Sequence, residues 1–165
     1  MQPLIRDYSP ADQSQVIDLS LRAWEPGHES IEQILGQTIF ELLYQGDWRR
    51  RQEDTVTETL REEQTVSDWP TKVWVAEIDG RVVGFISAVS RNTRGEISLL
   101  AVDPDYQGGG IGTALTETAT EWLRESGMEI AWVETGGDDG HGPGRRTYEK
   151  AGYTFLPIAR YFKKL

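Results

Sequence analysis

Residues 101–122, AVDPDYQGGGIGTALTETATEW, join an apolar strand end to a helix-period run through three consecutive glycines. Glycine is a poor helix former, and three together carry a large ordering cost. A helix that starts directly after a strand presents unpaired backbone N–H groups and a partial positive charge. Glycines at such a start let an anionic group reach those amides without obstruction. Gln107 to Thr113 are therefore candidates to cradle a pyrophosphate, and a ligand-free Gly-rich turn is the structural alternative.

Two phosphate loops are excluded by the residues themselves. A P-loop closes on Gly-Lys-Ser/Thr, whereas this helix continues Gly112-Thr113-Ala114 with no lysine. A dinucleotide fingerprint starting at Gly110 requires a small residue where Leu115 stands, and one starting at Gly108 places Thr113 there.

The rest of the chain supplies context for this turn. PLIRDYS reads as a first strand, and Ser9-Pro10 as the start of a helix ending before Pro26-Gly27. A second helical stretch carries Ile31, Ile34, Leu35, Ile39, Leu42 and Leu43; residues 47–69 read as a solvated helix or irregular extension. From Lys72 the period shortens, and Asp79-Gly80 and Asn92 to Gly95 divide a three-stranded antiparallel meander. The helix after the glycines is bounded by Gly127. MEIAWVET reads as a buried strand, GRRTYEKAG as a short helix, and YTFLPIARYFKKL as two closing strands around Pro157.

Composition narrows the partners. The chain has 17 basic and 27 acidic residues, a net charge of -10, which repels a phosphate backbone and argues against nucleic acid. No cysteine is present, so thiol catalysis and a thiolate zinc site are excluded. The N-terminal residues show no apolar signal core, and no run approaches membrane-spanning length, so the expectation is a cytoplasmic protein without a membrane partner. Residues 1–165 are expected to form one domain.

Leu100 to Gly112 closely resembles motif A of the GNAT acetyltransferases, with Gln107, Gly110 and Gly112 at the matching positions. Tyr148-Glu149-Lys150-Ala151-Gly152-Tyr153 resembles that family's second signature, in the expected order and at the usual separation. The resemblance is specific over residues 96–156 and poor before residue 72. It implies an α/β (α+β) fold: a central mixed, mostly antiparallel sheet of six to seven strands, flanked by helices, with a bulged strand before the acetyl-CoA loop.

It further implies acetyl-CoA as co-substrate, with the pyrophosphate on amides of Gln107, Gly108, Gly109, Gly110, Ile111, Gly112 and Thr113. Backbone groups of Leu100, Ala101 and Val102 would meet the pantetheine arm and acetyl carbonyl. An N-acetyltransferase acting by direct attack in a ternary complex is the main reading. A non-catalytic acyl-CoA-binding module is the alternative, and an O-acetyltransferase a third possibility.

Acetyl transfer to an amine needs a deprotonated nitrogen. At pH 7 a lysine-like amine is neutral in only about one part in a few thousand. Glu96 occupies the position of the general base in one branch of the family, and an exposed strand-end glutamate is the other reading. Tyr148 occupies the general-acid position that meets the departing thiolate. Where the family often carries a cofactor-contacting asparagine, His141 stands, available to pantetheine or acceptor, or else a solvated loop histidine. Asp138, Asp139 and His141 are weak grounds for a metal, and a polar turn is the simpler account. Trp24-Glu25-Pro26-Gly27-His28 offers an aromatic wall and an acid for an ammonium group, and Glu134 is a further cleft candidate. The acidity fits a small-molecule or protein-lysine amine acceptor without ranking them. Family members are commonly dimers, which leaves a homodimer open.

Overall fold

The structure is a computed structural model describing residues 2–165. Strand β1 (Leu4–Asp7) leads through a 3-10 turn at Pro10–Asp12 into helix α1 (Gln13–Leu35). Helices α2 (Gln37–Tyr44) and α3 (Trp48–Glu63) follow. Strands β2 (Thr71–Ile78), β3 (Arg81–Arg91) and β4 (Arg94–Val102) form the antiparallel meander, with left-handed residues Asp79, Gly80 and Asn92 at its turns. Helix α4 (Ile111–Glu125), strand β5 (Ile130–Trp132) and helix α5 (Gly142–Lys150) complete the regular elements.

The sheet runs β1-β2-β3-β4-β5, antiparallel except for the parallel β4–β5 pair. Alternation sends successive side chains to opposite faces. Val73, Val75 and Phe85 face Val16 and Leu19 of α1 and Val56 and Leu60 of α3. Trp74, Ala76, Ile86 and Ile97 face Ile111, Leu115, Ala119 and Leu123 of α4. The sheet is thus the middle of three layers, and helix α4 is held against it from its first residue onward. The fold class and the mixed sheet match the expectation from sequence.

Four expectations need correction. Helix α1 does not stop before Pro26 but passes through it to Leu35. A proline inside a helix removes one hydrogen bond and costs about 3 kcal/mol. Packing on both sides offsets this: Val16, Leu19 and Ser20 are buried before Pro26, Gly27 and His28 after it. The second helical stretch is likewise divided, between α1 and α2, by Gly36 at φ 76°. Strand β5 is three residues long, not a long buried strand, and Ile130 and Trp132 are exposed. Finally, residues 153–165 form no strand, so the sheet has five strands rather than six to seven. Pro157 lacks an N–H in mid-segment, and the short β5 offers little ladder to join.

Candidate active site

The site begins where β4 and β5 part. Ser87 of β3 pairs with Leu99 while Ala88 pairs with Ile97, so Ser98 is an extra residue in β4. Such a bulge bends the strand and redirects its polar groups. The N–H of Asp103 donates to the carbonyl of Val83 at 2.9 Å. Antiparallel partners alternate between bonded and non-bonded pairs, so Leu100 and Val102 turn their backbone groups away from β3. On that far side β5 pairs only with Arg94–Glu96 and then diverges. The Leu100 carbonyl accepts from the Trp24 indole at 3.0 Å, and the Val102 carbonyl from the Gln107 amide at 2.9 Å. The N–H groups of Leu100 and Val102 face the opening between the strands.

Asp103 fixes the end of this strand. Its fully buried carboxylate accepts two hydrogen bonds from Arg22 (3.0 and 2.9 Å), one from Arg81 (2.9 Å) and one from the Asp105 N–H (3.1 Å). Burial opposes its charge, but Arg22, the Asp105 amide and Arg81 outweigh that and hold the carboxyl below its ordinary range. The loop beyond it turns through Gly108 at φ 83° and Gly110 at φ 85°. Residues with a Cβ rarely adopt this region, which accounts for two of the three glycines. Gly110 caps α4, so the N–H groups of Ile111, Gly112 and Thr113 begin the helix without intrahelical acceptors.

A cleft of about 550 Å³ joins these parts. Leu100, Ala101, Val102, Gln107, Gly108, Gly110, Ile111, Gly112 and Thr113 line one side; Trp24, Pro26 and Gly27 of α1 line another. His141, Arg146, Thr147, Tyr148 and Lys150 close it from α5 and the turn before it. Helix α5 approaches α4 closely: a Cβ on Gly112 would lie 3.2 Å from the Thr147 methyl. Tyr148 is largely buried, and burial, with some help from Tyr153, pushes its phenol above the ordinary tyrosine range. It therefore keeps its proton at neutral pH, as a hydrogen-bond donor to a developing anion must.

The remaining sequence candidates fall elsewhere. Gly109 faces a smaller depression with Ile78, Asp79 and Tyr106. Glu96 sits where β4 still pairs with both neighbours, opposite Val89 and Trp132, and does not line the cleft. Glu134 forms a surface pair with Arg160 at 2.6 Å. His28 is buried outside the cleft, stacked on Trp48 with ring centroids 4.0 Å apart, its Nδ1 2.9 Å from the Trp24 carbonyl.

Three features escaped the sequence reading. Arg146 and Lys150 bring positive charge to the cleft wall, a signal available in the two cationic side chains flanking Tyr148 in an acidic chain. Asp103 anchors the loop through Arg22, 81 residues away, which no local pattern reports. His141 and Asp138 form a pair, Nδ1 to Oδ1 at 2.7 Å, for which the i,i+3 spacing was the only hint.

Known proteins resemble this chain in sequence and in fold. The sequence profile of the Acetyltransferase (GNAT) family matches residues 37–153. A mycothiol acetyltransferase of Thermomonospora curvata is 31% identical over 152 residues, 88% of this chain and 48% of that protein. The chain thus spans about half the length of that curated relative. Among solved structures, PaiA N-acetyltransferase from Thermoplasma acidophilum in complex with coenzyme A superimposes with a TM-score of 0.74 at 19% identity, covering 96% of this chain and 94% of that one. An aminoglycoside N-acetyltransferase in complex with CoA gives 0.64 at 15% identity, covering 98% and 94%. At these identities the two structures show a shared fold.

Proposed function

The chain belongs to the GNAT acetyltransferase family, and from that premise we propose that it transfers an acetyl group from acetyl-CoA to a primary amine by direct attack in a ternary complex. The observation that carries this reading is the continuity of the cleft. It runs from the N–H groups of Leu100 and Val102, at the parted strands, to the free amides of Ile111–Thr113. An extended ligand with a carbonyl at one end and a pyrophosphate further along meets donors in that order. The residues present fit such a group: Gly108 and Gly110 turn the loop at positive φ, and Arg146 and Lys150 add positive charge. Acetyl-CoA supplies the activated thioester, and this chain supplies orientation, polarisation and proton handling.

Each residue then has a task. The N–H groups at Leu100 and Val102 polarise the acetyl carbonyl and stabilise charge as it builds on oxygen. Amides of residues 107–113 hold the phosphates. Tyr148 donates a hydrogen bond to the sulfur as its bond to carbon breaks. With its phenol raised above about 10 and a free thiol near 8.5, full proton transfer to sulfur is uphill by more than about 2 kcal/mol. Tyr148 therefore acts chiefly as a donor rather than by handing its proton over. Glu96 stands about 13 Å along β4 from Leu100, at 3.3 Å per residue, beyond direct reach of the acceptor nitrogen.

For the acceptor, we propose a small amine. Proteins similar to this chain include a mycothiol acetyltransferase and an aminoglycoside N-acetyltransferase. Trp24 and Pro26 wall the cleft on the α1 side, and the net charge of -10 favours a cation. The test is amine-dependent release of CoA thiol from acetyl-CoA, across spermidine, kanamycin and a blocked lysine amide. With no cysteine in the chain, a thiol reagent reads CoA without background. Amine-dependent release supports transfer; acetyl-CoA binding without release from any amine indicates a binding module.

A further inference from the structure

We propose that His141, oriented by Asp138, is the base that takes the proton from the acceptor amine; the proposal rests on the acetyl-transfer reading above. The acceptor enters mainly as an ammonium ion, so its nitrogen must lose a proton before it can attack. A base has to reach that nitrogen directly or through one water, and it has to line the cleft. His141 does line it, whereas Glu96 does not. Of the two histidines in the chain, His28 is buried away from the cleft behind Trp24 and Trp48.

The pairing settles which ring nitrogen is available. Asp138 Oδ1 lies 2.7 Å from His141 Nδ1, and its other oxygen accepts from the Gly140 N–H at 3.1 Å. A carboxylate accepts and cannot donate, so in the neutral ring Nδ1 carries the hydrogen and Nε2 the lone pair. Asp138 is itself held in place by the 3-10 turn it caps. The charged and titratable groups near His141 are Asp138, Arg145 (on the Gly136 and Asp138 carbonyls) and Arg146 (beside Gly142) from its own segment, and His28 from α1. The ring packs on Gly27 of α1, where a Cβ would come within 2.9 Å of Nε2. Gly27 thus gives the imidazole its room.

Spacing also fits. His141 and Tyr148 are seven residues apart, two turns along one side of α5, so about 10 Å separates them along the helix axis. A line from base to nitrogen, carbonyl carbon, sulfur and acid, with contacts near 3 Å, also spans about 10 Å. His141 Nε2 first takes one proton from the ammonium and passes it to solvent. The freed lone pair then forms the new bond to the acetyl carbon, and Nε2 takes the second proton from the nitrogen, which carries the positive charge after attack. The carbon–sulfur bond breaks with its electron pair going to sulfur, which Tyr148 stabilises by hydrogen bonding. The imidazolium then returns its proton to solvent. Asp138 acts as a positioning residue.

The test combines histidine 15N NMR with kinetics on His141→Gln, Asp138→Asn and Glu96→Gln. Two histidines give two spin systems, and His141→Gln assigns them; His28 signals report whether the variants keep their fold. In the neutral wild type, Nδ1 of His141 is expected to be protonated and Nε2 bare, with the tautomer balance shifting in Asp138→Asn. His141→Gln is expected to lower kcat by about 10²–10⁴-fold, to remove the acidic limb of the pH–rate profile, and to leave the acetyl-CoA-induced thermal shift in place. An Nε2–H tautomer in the wild type overturns the proposal, as does a His141→Gln enzyme that keeps its rate and limb. Loss of the limb in Glu96→Gln alone assigns the base to Glu96 instead. If wild type releases no CoA with any of the amines, the acetyl-transfer reading fails and takes this one with it.

Discussion

Replacing Asp103 by asparagine tests how the end of β4 holds the loop. The aspartate accepts four hydrogen bonds, three from the guanidinium groups of Arg22 and Arg81, while being fully buried. Asparagine keeps one acceptor oxygen and turns an NH₂ group toward a cation. Removing one member of a buried pair usually costs 3–5 kcal/mol. Here Arg22 and Arg81 are about half-exposed and recover water, so the cost should fall to about 2–3 kcal/mol. For a chain of this size that corresponds to a Tm lower by roughly 4–12 °C at pH 7, read by circular dichroism. The pH dependence has a defined sign. A carboxyl whose folded pKa lies below its unfolded value stabilises above the unfolded value, near 3.9, and loses that contribution as pH falls through the folded one. The difference between wild type and Asp103→Asn should therefore hold from pH 7 to about pH 4 and shrink below. A Tm change under about 2 °C, or a gap that widens on acidification, would refute the reasoning.

Other outcomes follow from single contacts. Tyr148→Phe removes a hydroxyl that gains no hydrogen bond among the described residues, so Tm should stay within about 2 °C while kcat falls about 10- to 1,000-fold at little cost in acetyl-CoA affinity; equal kcat removes Tyr148 from the mechanism. Gly110→Val forces a branched residue to φ 85°, which should cost about 1–3 kcal/mol in urea unfolding and weaken acetyl-CoA binding in calorimetry. Trp24→Phe loses the indole bond to the Leu100 carbonyl and should cost about 1 kcal/mol by the same unfolding measurement.

The parts legible in sequence were those with local causes. Asp79-Gly80 marked the first hairpin because both residues adopt left-handed conformations there. Gly108 and Gly110 marked the loop for the same reason. The run from Ile111 to Leu123 showed its face because α4 buries that face against the sheet. Non-local causes were hidden. Pro26 suggested an end to α1, but packing on both sides carries the helix through it. The YTFLPIARYFKKL run has strand-like composition, yet strand formation needs a partner edge, and Phe155, Leu156, Ile158 and Tyr161 remain exposed. Glu96 was a candidate base by its position before the motif, with an exposed strand-end glutamate as the other reading, and its reach depends on where β5 leaves β4, four residues before Leu100. The importance of Asp138 emerged only once the turn before α5 folded back onto α1, with the Gly140 N–H 3.3 Å from the Ser30 hydroxyl.

The central claim is that the cleft between the parted strands and the α4 N-terminus binds acetyl-CoA. Thermal unfolding with acetyl-CoA, with CoA and with neither tests it most directly. Ligand at one hundred times its Kd stabilises the folded state by about 2.7 kcal/mol, so Tm should rise by roughly 5–11 °C. Gly110→Val should blunt that rise. No change in Tm at millimolar acetyl-CoA would contradict the account and leave the glycines a purely structural turn.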